Sequence, residues 1–131
     1  MTTKEKEICL IENQFDQILN YDPSNAIQSL KLIKCTEQWI EDHCLLGTHA
    51  IKYTQLRGIY QLLKENDGQL ILALPRLVYK EASQEFAEQK HFVGIIRKLM
   101  EKAIEENKQE AFLNYMTTIV AYHKFYSSSK N

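Results

Sequence analysis

Cys35, His43, Cys44 and His49 carry metal-ligating side chains and fall within 15 residues of one another. Zinc sites use ligands paired about two to four residues apart, often across a tight knuckle. Here the sequence around them has helical spacing. His43 and Cys44 are adjacent, so on a helix they project about 100° apart and do not converge on one ion. Ordinary helix residues are the simpler reading. Acid–base or nucleophilic chemistry also lacks a framework. There is no Gly-x-Ser-x-Gly, no glycine-rich phosphate loop and no His-Glu-x-x-His. Helical ribonucleases often place a His five to seven residues after an Arg. Those positions hold Leu62, Leu63 and Lys64 after Arg57, then Glu81, Ala82 and Ser83 after Arg76, and Lys102, Ala103 and Ile104 after Arg97. The four histidines, at 43, 49, 91 and 123, lie on separate segments. No cofactor motif is present, and a non-catalytic protein is expected.

The basic residues say more. Lys52-Tyr53-Thr54-Gln55-Leu56-Arg57 reads as a helix start, with Thr54 as the expected N-cap and Arg57 within about one turn of it. A helix N-terminus offers unpaired N–H groups and the positive end of a dipole, which suit phosphate. Arg76 and Lys80 are four apart and share a face. Lys124 lies in a C-terminal stretch from Ala111 onward that has no acid. Lys52, Arg57, Arg76, Lys80 and Lys124 are therefore the candidates for contact with a phosphate backbone, without base readout. The bland alternative is a solvated basic face. Phe112, Tyr115, Tyr122, Phe125 and Tyr126 suggest base stacking, but at this spacing core or partner-facing roles are more common.

The elements that carry these residues read as helices throughout. Candidate helices cover about 3–20, 26–46, 54–65, 69–88 (kinked or begun at Pro75), 88–107 and 109–126. Ile27, Leu30, Ile33, Ile40 and Cys44 form the expected inner stripe of the second, and Gly47 is its expected C′ residue. No segment alternates like a strand, and Gly (4) and Pro (2) are too scarce for a many-turned β fold. The expectation is an all-α, compact bundle of five to six helices in a single domain over 1–131.

Charge is uneven along that domain. The 131 residues sum to −1, which argues against a free-standing polycation. Residues 1–46 carry a net −4, residues 47–80 a net +3, and the remainder balances. The N-terminal Met1–Glu7 is polar, so a signal peptide is not expected. The apolar run Leu70–Leu74 is far shorter than the ~20 residues of a membrane span. Three cysteines without a framework spacing point to buried or half-buried thiols and a cytoplasmic location.

Three segments resemble a known family. Thr54-Gln55-Leu56-Arg57-Gly58-Ile59-Tyr60 is similar to a Thr-x-Leu-Arg-x-hydrophobic-aromatic helix opening. Leu74-Pro75-Arg76-Leu77-Val78-Tyr79 is similar to a Lys-Pro-Lys/Arg-Leu-x-Tyr segment, and Phe112 to Tyr126 to a C-terminal aromatic signature. Together, over about 48–127, they resemble the small subunit of type III-A CRISPR effector (Csm) complexes. The family's Ala-Gly-Arg is Glu81-Ala82-Ser83 here, and its basic residue before Leu-Arg is Gln55.

The resemblance implies a helical subunit that is not itself a nuclease. Copies of it stack along the complex, beside the backbone subunits and the large signature subunit, and line the channel for target RNA paired with guide RNA. The acidic first 46 residues are expected to help supply a stacking patch. Readings of other classes are a helical adaptor or oligomerisation module without RNA contact, and a small helical nuclease or toxin.

Overall fold

The computed structural model describes residues 11–20, 22–45, 47–65 and 69–129. Six α-helices follow one another: α1 Phe15–Leu19, α2 Ala26–His43, α3 Tyr53–Lys64, α4 Leu70–Ala82, α5 Lys90–Glu105 and α6 Gln109–Ser129. Short 3₁₀ turns at Ile11–Asn13 and Gln84–Phe86 precede α1 and α5. No strand occurs among the described residues.

The first expected helix is broken. Gln14 separates the 3₁₀ turn from α1, although Ile11, Ile18 and Leu19 are buried as its spacing predicts. Ile8, which the three- and four-residue spacing of Ile8, Ile11, Phe15, Ile18 and Leu19 places on the same expected face, lies outside the described residues. Asn25 caps α2 by accepting from the Gln28 N–H at 3.1 Å. The inner stripe of α2 differs from the expected one. Ile27 and Leu30 are exposed, whereas Ser29, Thr36, Trp39 and Ile40 are buried. The polar pair is tolerated because each hydroxyl has a partner: Ser29 Oγ donates to Asp22 O, and Thr36 Oγ1 lies 2.6 Å from Tyr115 Oη. The helix stops at His43, so Gly47 is not its C′ residue. Gly47 adopts φ 91° in the connector, a conformation that favours glycine.

The N-cap of helix α3 lies two residues earlier than expected. Lys52, not Thr54, is the N-cap, and the Lys52 N–H donates to Gln55 Oε1 at 3.0 Å. The Gln55 amide then donates to Glu85 O and to Gln89 Oε1, tying the start of α3 to the turn before α5. An ammonium or guanidinium at position 55 has no acceptor to offer the Lys52 N–H. Helix α4 runs through Pro75, which stands on its exposed side. Leu70, Ala73 and Leu77 face the core. Ile71, Leu72, Val78 and Tyr79 stay exposed, whereas the helical spacing of Leu70, Leu74, Leu77 and Val78 predicts Val78 on the inner face. Helix α6 continues to Ser129, three residues past its expected end at about 126.

Helix α6 packs against α1, α2, α3 and α5, and α4 packs against α3 and α5. The core is continuous, with Leu56, Ile59, Leu63, Ile96, Leu99, Phe112, Met116 and Ile119 each fully buried. Trp39 and Phe92 stack at 5.6 Å where α2 meets α5. Cys44 is a buried free thiol, and burial pushes its pKa up. Cys35 is disulfide-bonded, which corrects the reading of all three cysteines as thiols. Cys9 lies outside the described residues. Among the described residues, no helix is long and apolar enough to cross a membrane.

Candidate nucleic-acid interface

The sequence candidates separate into two groups. Arg57 and Lys124, from α3 and α6, meet on one ring. Arg57 Nη1 donates to Tyr53 Oη at 3.3 Å, and its guanidinium lies 6.0 Å from the Tyr53 centroid. Lys124 Nζ lies 5.0 Å from the same centroid. Both distances fall within cation–π range. Arg57 stands five residues after the N-cap, in the second helical turn, so the α3 dipole contributes less to it than the sequence suggests. Lys52 is exposed at the N-cap itself.

Tyr53 is held from beneath by His123, whose ring stacks on it with centroids 6.0 Å apart. His123 is buried, and its Nε2 lies 2.7 Å from Ile51 O. A carbonyl only accepts, so Nε2 carries the proton, which leaves Nδ1 to accept from Ser127 Oγ at 3.2 Å. Burial lowers the His123 pKa, opposed by the backbone bond to Ile51. The neutral imidazole is thus the form the fold prefers.

The same α3 face continues beyond the expected candidates. Tyr53, Arg57, Tyr60 and Lys64 recur at spacings of four, three and four, which places them within about 60° around the helix. Lys64 Nζ lies 5.0 Å from the Tyr60 centroid, and Tyr60 Oη is 2.8 Å from Thr117 Oγ1 on α6. Helix α3 contains no acidic residue, and α6 has none after Glu110. No carboxylate among the described residues pairs with Lys52, Arg57, Lys64 or Lys124. Sequence reading missed Tyr53, Tyr60 and Lys64. The signal available was the Tyr-x-x-x-basic pair repeated seven residues apart.

The second group lies on α4. Arg76 Nη1 donates to Glu65 Oε1 at 2.9 Å, and Lys80 Nζ lies 5.5 Å from the Phe86 ring. No hydrogen bond, ion pair or ring contact among the described residues joins these two to the Tyr53 group. Of the residues first weighed for a metal, His43 is exposed, and His49 Nδ1 lies 2.9 Å from Glu88 O.

What this arrangement offers chemically is a helical basic face whose cations meet tyrosine rings rather than carboxylates among the described residues. A family model described as Csm2 Type III-A matches residues 30–129, beginning within α2. The chain belongs to the Csm2 type III-A family and is a small subunit of a type III-A CRISPR effector complex, alongside the other subunits of that complex. No curated protein and no solved structure matches the chain.

Proposed function

We propose that this subunit is non-catalytic and binds target RNA, paired with guide RNA, through the sugar–phosphate backbone, as copies stack to line the channel of the effector. The observation that carries this reading is the convergence of Arg57 and Lys124 on Tyr53, where no carboxylate among the described residues pairs with either cation. Unpaired cations side by side repel, so a surface that holds them together is suited to an anionic partner. Arg57, Lys124 and Lys52 form the centre of the proposed contact. Arg76 and Lys80 extend it from α4. Phosphate contact without base readout suits a subunit that must accept any target. Moderate charge per copy gains affinity when several copies lie on one RNA.

The test is retention of labelled target RNA by the assembled complex across a salt series. Arg57→Ala should reduce the slope of log affinity against log salt by about one, equally for unrelated target sequences. An unchanged slope rejects the assignment. The adaptor reading is favoured by one observation, the exposed apolar face of Ile71, Leu72, Val78 and Tyr79 on α4. It predicts instead that Arg57→Ala leaves RNA retention untouched, while Tyr79→Ala impairs assembly.

A further inference from the structure

Helix α3 presents two tyrosines, each with a cation four residues later and each tied to α6. Tyr53 carries Arg57 and the α6 cation Lys124, and it rests on His123 of α6. Tyr60 carries Lys64 and bonds Thr117 of α6 at 2.8 Å. Thr117 Oγ1 donates onward to Leu113 O, so Tyr60 Oη is the donor to Thr117 and keeps its lone pairs toward Lys64 Nζ at 3.5 Å. Both rings are therefore fixed at the hydroxyl or the face by α6. Each also has a cation seated on it, so neither is an open platform of the sort that stacks bases. Seven residues separate the two tyrosines, about 10 Å along the helix axis. Successive phosphates of one strand advance only ~3.4 Å along the axis of B-DNA, and an A-form RNA duplex is more compact still, so the two seats span several of them.

Resting on the RNA reading above, we infer that Tyr53 and Tyr60 are positioning residues of a two-seat phosphate clamp, in which Tyr60 holds Lys64 as a further RNA contact. The occupant is a run of phosphates on one strand, and the tyrosines set the spacing of the cations along it. Lys64 contributes charge to the contact. Tyr60 contributes geometry alone, because its removal changes no charge.

This division gives two separable signatures in the salt series with the assembled complex. Lys64→Ala should lower the salt slope by about one. Tyr60→Ala should weaken retention several-fold at every salt concentration with the slope unchanged. Tyr60→Phe keeps the ring beneath Lys64 and should restore most of the lost affinity, which also guards against a folding defect in the alanine variant.

A Lys64→Ala slope equal to that of the parent overturns the clamp. If Arg57→Ala still lowers the slope, the RNA reading survives that failure; if neither variant moves it, both readings fail. A Tyr60→Ala loss that depends on base composition, tested with oligopyrimidine against oligopurine targets, also overturns it in favour of stacking. So does a Tyr60→Ala variant that binds like the parent.

Discussion

Two faces of this bundle are built from the same residue types and use them in opposite ways. On the α4–α5 side, cations are neutralised by carboxylates. Arg97 Nε donates to Glu81 Oε1 at 2.5 Å, bridging α5 to α4, and its Nη1 reaches Glu101 at 3.3 Å. Lys102 pairs with Glu106 at 2.7 Å and with Asp16 at 3.2 Å. The hydrogen bond to Glu81, then the nearby carboxylates, raises the Arg97 pKa. On the α3–α6 side, Arg57, Lys64 and Lys124 meet tyrosines instead. The lesson is that a count of basic residues does not locate an anion site. What matters is whether the fold has already given each cation a counter-charge.

The largest expected effect lies on the neutralised side. Arg97 and Glu81 are only 24% and 23% exposed, so their bond is shielded from water more than a surface pair is. Arg97→Ala should lower unfolding free energy by about 2 kcal/mol in chemical denaturation, with RNA retention by properly assembled complex keeping its salt slope. Arg57→Ala should do the reverse, changing stability by less than about 0.5 kcal/mol and reducing the slope. If Arg97→Ala moved the slope and Arg57→Ala did not, the two faces would have exchanged roles.

Arg76 is the intermediate case. Its bond to Glu65 joins side chains that are 56% and 55% exposed, a pair worth between nothing and about 1 kcal/mol. Glu65→Gln should therefore barely change stability while releasing Arg76 toward an anion. If Arg76 belongs with the RNA-facing group, that variant should steepen the salt slope. An unchanged slope would leave Arg76 with the structural cations of α4 and α5.

Most of the fold was legible because helix periodicity is local. Leu56, Ile59 and Leu63, or Phe112, Met116 and Ile119, announce their buried faces at spacings of three and four. What periodicity missed depended on distant partners. Ser29 and Thr36 have no place in the expected stripe of α2, yet they are buried because Asp22 O and Tyr115 supply their bonds, and Thr36 meets Tyr115 across 79 positions. Ile27 and Leu30 read as core for the same reason in reverse. The site was legible only as a list of cations. Glu65 is 11 residues from Arg76, Glu81 is 16 from Arg97, and Tyr53 is 71 from Lys124. None of these distances marks a contact without the packing of α3, α4, α5 and α6.

The smallest effect tests the seat under the clamp. His123 is depressed in pKa by burial, so below the ordinary histidine value of about 6.5 the unfolded chain binds more protons than the folded one. The neutral ring's contribution is therefore fully present above about pH 6.5. It is lost as pH falls from there through the lowered folded value. Protonation would also place a third positive charge beside Arg57 and Lys124 on Tyr53, where no carboxylate among the described residues offsets it. Denaturation midpoints measured between pH 7.5 and pH 5 should thus fall more steeply for the parent than for His123→Gln. Glutamine keeps an N–H for Ile51 O but does not titrate. The other three histidines are common to both proteins, so the difference between the two curves belongs to position 123. Parallel curves would show that Tyr53 rests on a ring whose protonation state the fold does not select.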